Sequence, residues 1–341
     1  MSNIIVEVNP QIELMNSILY TSNHGDLIHN SMGFNPMTDI ETNYTRTIKE
    51  YFHPYREREI YSFIENLTLK GFFLGRPMEL MCSVDEPPLL KHNYDISQLC
   101  RQLCGGEESI NLLLNLLRKF SKEIDYMKFF EIAKSYYSDQ VAAVQKHINK
   151  YPFVLIMEEF FGKKQHSYHY ILTNLSKGSF GIHFKNRNKL DMFSVMSLFT
   201  VSDNEEENEF YRGALSTNVT IHEFAHPIIN PLTEKNIELV KKYSEGYEWL
   251  KQYKQPNFQS GYGDWDECVN EYIVRAVAIY LAKKLGEKEY GNKHLKYDMK
   301  MGYRYLPALL DKFQYYEKHR DIYKMIDDFY SELVEVFAER V

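Results

Sequence analysis

Long apolar runs are missing from this 341-residue chain. No stretch approaches the roughly 20 residues that a helix needs to cross a bilayer, so no membrane span is expected. A basic stripe is missing as well. The formal net charge is −7, and the densest basic patch, Lys163-Lys164, is two residues long. That argues against a nucleic-acid partner, whose phosphates would call for clustered Lys and Arg. Cysteine is scarce, with only Cys82, Cys100, Cys104 and Cys268. No second Cys or His pair follows Cys100 and Cys104 at zinc-finger spacing, so free thiols in a reducing compartment are expected. The opening MSNIIVEVNPQIELM lacks a basic n-region, a continuous apolar core and a small-residue cleavage site. A cytoplasmic protein without a signal peptide is the expectation.

What is there is the composition of an ordinary globular protein, 44% hydrophobic and 26% charged, on a chain long enough for one large domain or two packed lobes. Aromatics reach 15%, with 27 Tyr and 21 Phe. Tyrosine has an apolar ring and a polar tip, which suits half-buried surfaces and cleft walls. The acidic run Glu205-Glu206-Glu207 with Glu209 reads as a solvated loop.

Residues 4–8 (IIVEV) predict a short strand. Asn9-Pro10 then opens a helix through about Ser22, with Asn9 as its N-cap and Pro10 at the first helical position. Helical periodicity returns at about 43–52, 57–69, 107–122 and 126–149, so 1–150 is expected to be a mostly helical portion. The segments YHYILTNL (168–175), FGIHF (180–184) and MFSVMSLFTV (192–201) are rich in aromatic and β-branched residues. Turn signals separate them, and they predict three strands in a meander. Helices are expected to the end, at about 209–226, 232–252, 264–286, 294–316 and 320–338. No repeat or long linker divides the chain.

Chemistry concentrates at His222-Glu223-Phe224-Ala225-His226, an H-E-x-x-H pattern. On a helix, two histidines one turn apart project from the same face, so both imidazoles can hold one Zn²⁺. Glu223 is rotated away from the pair but lies beside the open coordination position. There it can take a proton from the activated water and return it to the leaving group. Val219-Thr220-Ile221 is an apolar approach that would bury the helix.

A catalytic zinc needs a third protein ligand and one position left for water. Downstream, WDECVNEYIVRA (265–276) is helical in pattern and offers Glu267 and Glu271 one turn apart. Glu271 is favoured, because Ile273, Val274 and Ala276 bury its segment and Arg275 could brace a carboxylate network. Glu267 is the alternative ligand, or a group that orients a ligand histidine. His294 and His319 lack the close spacing of a third-histidine site. Tyr303 and Tyr262 are candidate oxyanion donors, but among so many tyrosines neither is singled out. His183, on an expected strand, reads as structural.

Two helices, one with HExxH and the next with a glutamate, resemble the glutamate-zincin (gluzincin) metallopeptidases. The wider stretches HEFAHPIINPL and NEYIVRA resemble more closely a bacterial family of putative zincins catalogued as a domain of unknown function. VEVNPQIELMNSIL, YFHPYREREIYSF and GYRYLPALLDKFQYYEKHRDIY also fit that family, so the similarity covers nearly the whole chain. Carried over by position, it implies His222, His226 and Glu271 as metal ligands and Glu223 as the base. One departure is Pro227, where a small polar residue is expected. Proline has no N–H and disfavours helical geometry before it, so the ligand helix is expected to end or kink at His226.

The expected fold is α+β and zincin-like, predominantly helical with a small sheet beside the HExxH helix. The catalytic portion is expected at 151–341, with the sheet at 168–201, the HExxH helix at 209–226 and the glutamate helix at 264–286. The expected function is zinc-dependent hydrolysis of peptide or protein substrates. A non-catalytic zincin-like scaffold and a hydrolase of non-peptide amides are the alternatives.

Overall fold

A computed structural model describes residues 4–198, 213–251 and 264–338. It is a mixed α+β protein, dominated by helices, with one four-stranded sheet. Two compact units emerge, and they interleave along the sequence. One comprises Ile4–His147 and His166–Leu215; the other comprises Ile148–Gln165 and Ser216–Val341. The division therefore does not fall at a single boundary near 150. The whole sheet belongs to the first unit, and the HExxH helix belongs to the second.

In the first unit, β1 (Ile4–Glu7), β2 (Ser167–Thr173), β3 (Phe180–Asn186) and β4 (Lys189–Ser197) are ordered β1-β2-β4-β3. β1 runs parallel to β2 and β2 parallel to β4, while β3 and β4 form an antiparallel hairpin. The expected meander is thus corrected: β4, not β3, lies beside β2. Burial explains the exchange. A strand flanked on both sides and covered on both faces needs apolar groups at successive positions. Residues 191–197 of β4 are all buried, whereas β3 alternates, with Gly181, His183 and Lys185 less covered, and takes the edge. The hairpin turns at Arg187-Asn188, where Arg187 has φ +55°, as a tight two-residue turn of the primed kind requires. The stretch expected to continue the last strand, 199–201, lies outside the described residues, as does the acidic run at 205–209.

The first helix, Pro10–Thr21, begins as its sequence predicts: the Asn9 side chain accepts a hydrogen bond from the Ile12 N–H, and Pro10 occupies the first turn. Its burial is nearly all-round and includes Gln11, Glu13, Asn16 and Ser17. A polar residue at such depth needs partners. Glu13 Oε2 accepts hydrogen bonds from the hydroxyls of Tyr44 and Tyr137, the latter at 2.8 Å. Tyr137 in turn accepts from the Asn174 N–H at 3.0 Å. Glu13 Oε1 has no hydrogen-bond partner. Burial raises the proton affinity of Glu13 above that of an ordinary carboxyl and outweighs the hydrogen bonds from Tyr44 and Tyr137 that favour the anion.

This shift has a sign that can be checked. A carboxyl whose folded pKa exceeds its unfolded value favours folding fully below the unfolded pKa, and that contribution is lost as pH rises through the folded pKa. The contribution of Glu13 to stability should therefore fall from the ordinary carboxyl range near 4.5 upward. The contribution of this one proton to the slope is at most about 1.4 kcal/mol per pH unit. Glu13→Gln keeps the shape and removes the titration, so the difference between variant and wild type should grow with pH in favour of the variant. Denaturant midpoints of the two proteins across pH 4–8 would measure it. Parallel profiles would show that Glu13 does not titrate between folded and unfolded states.

The second unit is helical. Its core gathers Phe153, Phe160 and Phe161 from the helix Phe153–Phe161, together with Phe313, Tyr316, Phe329 and Tyr330 from the C-terminal helices Leu306–Lys318 and Ile326–Val334. Tyr316 donates its hydroxyl hydrogen to the Phe160 carbonyl, and Arg320 does the same through its guanidinium. Expected helices 232–252 and 294–316 are each divided. The first becomes Ile237–Lys242 and Glu245–Lys251, and the second becomes Lys288–Lys300 and Leu306–Lys318. At the second break Gly302 adopts φ +105°, a conformation that ends a helix. Among the described residues no helix is long and apolar enough to cross a membrane.

Candidate metal centre

The HExxH segment lies in the helix Thr217–Lys235, capped by the Ser216 side chain, which accepts from the Val219 N–H. The stretch expected to begin it, 209–212, is outside the described residues. Of the two outcomes expected at His226, an end or a kink, the end does not occur: the helix continues through Pro227 and Pro231 to Lys235. Each proline withholds one N–H, from the carbonyls of Glu223 and Pro227 respectively. Tertiary burial offsets that loss, because Phe224, Ala225, Ile228, Ile229 and Leu232 are all buried along this length. The turn that carries both histidines lies upstream of the first missing donor and stays helical.

Packed against it is the helix Trp265–Lys284, which buries Cys268, Val269, Tyr272, Ile273, Val274 and Ala276. Trp265 anchors its start by donating Nε1–H to the Val240 carbonyl at 2.8 Å. This packing brings Glu271 to the two imidazoles. His222 Nε2 and His226 Nε2 are 3.0 Å apart, Glu271 Oε1 is 3.3 Å from His226 Nε2, and Glu271 Oε2 is 3.7 Å from His222 Nε2. All three side chains are 14% exposed. Glu267, one turn earlier, is exposed and is not part of this group.

These separations can be compared with what a cation needs. Four ligands about 2.0–2.1 Å from a tetrahedral zinc stand about 3.3 Å from one another. The two imidazole nitrogens are 3.0 Å apart, and the carboxylate turns one oxygen to each, at 3.3 Å (Oε1 to His226) and 3.7 Å (Oε2 to His222), while with one atom from each residue all three lie within 4.8 Å of one another. Among the described residues this is also the group of His, Cys, Asp and Glu side chains whose ligand atoms converge closely enough to hold an ion. Two further observations fit. Glu271 Oε2 is buried and accepts no hydrogen bond. His226 Nδ1 faces the Asn230 amide oxygen at 3.1 Å, which leaves Nε2 as the ring atom directed at the cluster, there to meet a proton or a metal ion.

Electrostatics within the cluster are strongly coupled. Burial disfavours a charged ring at both histidines; it prevails at His222, whereas at His226 the hydrogen bond and charge of Glu271 outweigh it and raise proton affinity. Burial also opposes ionisation of Glu271, yet the histidines and Arg275 hold its carboxyl well below the usual range. An anionic carboxylate beside two imidazole nitrogens is a donor set that could hold a cation. Glu223 follows His222 on the buried helix, is 7% exposed, and its charge raises the proton affinity of His226.

Behind Glu271 lies a polar chain that sequence reasoning only partly anticipated. Arg275 Nε is 3.4 Å from Glu271 Oε2, and its Nη1 donates to Asp298 Oδ1 at 3.1 Å. Asp298 Oδ2 is 3.6 Å from His294 Nδ1, and His294 Nε2 is 3.2 Å from Asn218 Nδ2. The Tyr303 ring lies under the Arg275 guanidinium, 4.2 Å from its centroid. Tyr303 is therefore packed against the network, Tyr262 is outside the described residues, and His183 belongs to the other unit. Asn230, Asp298 and Asn218 have no local motif, and His294 was weighed only as a ligand.

A family described as "Domain of unknown function (DUF4932)" has a model that matches residues 4–336. No curated protein and no solved structure matches the chain.

Proposed function

The chain belongs to the DUF4932 family, and from that premise we propose that it is a zinc-dependent hydrolase acting on peptides. The observation that carries this reading is the convergence of His222, His226 and Glu271 within ligand distance of one another. Three donors of this type, two imidazoles and one carboxylate, are a set that catalytic zinc sites use while keeping one position open. The resemblance to gluzincins belongs to the same reading.

A bound zinc ion supplies Lewis acidity, polarising a substrate carbonyl and acidifying water. The residues of the chain supply the rest. Asn230 holds His226 in the tautomer that presents Nε2. Glu223 accepts a proton from the attacking water on its carboxylate and delivers it to the amine that leaves.

The experiment is a peptide-library digest with the full chain, run as purified, with a chelator, and after zinc is restored. Cleavage that disappears with the chelator and returns with zinc is the expected result. Cleavage indifferent to the chelator would sink the metal reading. Zinc bound without cleavage of any peptide would move the protein to the non-peptide amides or to a binding role.

A further inference from the structure

Resting on the metal reading above, we infer that Asp298 is a positioning residue that sets the metal affinity of the site by neutralising Arg275 behind Glu271. Arg275 sits one turn after Glu271 on the same helix, and both side chains are 14% exposed. Glu271 Oε2 accepts no hydrogen bond, so at 3.4 Å the guanidinium acts on the carboxylate through its charge rather than as a fork gripping it. A fixed positive charge so near the three ligand atoms opposes a second cation there, and low solvent exposure leaves the opposition poorly screened.

Asp298 is placed to cancel it. Its carboxylate is 1% exposed and accepts from Arg275 Nη1. On its other side stands His294, itself 0% exposed. The Asn218 amide nitrogen lies 3.2 Å from His294 Nε2 and 3.5 Å from its Nδ1, and Nδ1 faces Asp298 Oδ2 at 3.6 Å. Asp298 thus stands between the guanidinium and the imidazole, and Asn218 lies one turn ahead of His222 on the HExxH helix. The chain of contacts that begins at the ligand carboxylate returns to the helix that bears the two imidazoles. A buried Arg–Asp pair is a weak source of folding stability, because desolvation offsets most of the attraction. Its place behind a ligand gives it another use: charge balance at the metal.

The test is zinc titration of the metal-depleted full chain against a chromophoric competitor. Asp298→Asn is expected to weaken zinc binding about 10–100-fold, the range for groups that support metal ligands. The double variant Arg275→Gln/Asp298→Asn removes both charges together and should recover most of that loss, which a merely structural role for Asp298 would not produce. Asp298→Asn binding as tightly as wild type, or a double variant as weak as Asp298→Asn, would overturn the inference. Should the single variant fail to fold by circular dichroism, Arg275→Gln is compared with the double variant. The former is expected to bind zinc more tightly because Asp298 then acts unopposed, and the reverse order would overturn the inference. A wild-type chain that takes up no zinc defeats the metal reading itself, whereas zinc uptake indifferent to Asp298 defeats only this extension.

Discussion

Glu223→Gln is expected to lower kcat/KM for peptide hydrolysis by about 10²–10⁴-fold, the contribution of a positioned general base, while zinc content stays at the wild-type level. The substitution replaces one carboxylate oxygen by an amide nitrogen of nearly the same size. Glu223 is 7% exposed on a helix whose neighbours Phe224 and Ala225 are fully buried, so an isosteric change leaves that packing in place. It also leaves His222, His226 and Glu271 untouched, and these are the side chains whose ligand atoms converge. What it removes is the ability to accept a proton. Steady-state kinetics beside elemental analysis of the same preparation separate the two roles. Turnover at the wild-type rate would take Glu223 out of the chemistry, and loss of zinc would assign it to metal retention instead.

The second large effect concerns Glu271→Ala, which should abolish the rise in melting temperature that zinc confers on the wild type. A ligand that binds only the folded state stabilises it by about 4 kcal/mol at a thousandfold excess over Kd. For a protein of this size that corresponds to several degrees. Glu271 and the two histidines are carried by separate helices, Trp265–Lys284 and Thr217–Lys235, so an ion held by all three ties those helices together. Alanine is preferable to glutamine here, because an amide oxygen could still act as a ligand. With two imidazoles left, zinc affinity should fall by more than the ~10–100-fold expected of supporting residues. Melting curves with and without zinc decide the matter. An undiminished zinc-dependent shift in Glu271→Ala would place the third ligand elsewhere.

How much of this could be read from residues alone depends on the range of the interaction. The HExxH turn was legible because its chemistry lies within five residues of one helix. Glu271 is favoured over Glu267 because Ile273, Val274 and Ala276 follow it, and the structure buries all three and leaves Glu267 exposed. The Asn9 cap was legible for the same local reason. Pro227 misled, since its local preference is to stop a helix, whereas the burial of Ile228, Ile229 and Leu232 depends on segments far away in sequence. Strand order was hidden too. Turn signals between consecutive strands suggest neighbours, but burial on both faces is what places β4 between β2 and β3. The Asp298–His294–Asn218 chain was invisible because it joins two helices of different sequence regions without a common motif.

The parallel pairing of β1 with β2 has a consequence for how such a chain is made. Tyr168 leaves the ribosome long after its partner Ile4, once most of the first unit has been synthesised. Contacts this distant in sequence close slowly. Meanwhile residues 148–165 have already appeared, and they belong to a unit whose remaining helices begin at 216. Vectorial synthesis therefore cannot finish one unit before starting the other. Each holds an early segment in waiting, and the nascent chain has an interval in which unpaired strand and uncovered helix coexist, the state in which large proteins are most exposed to misassembly.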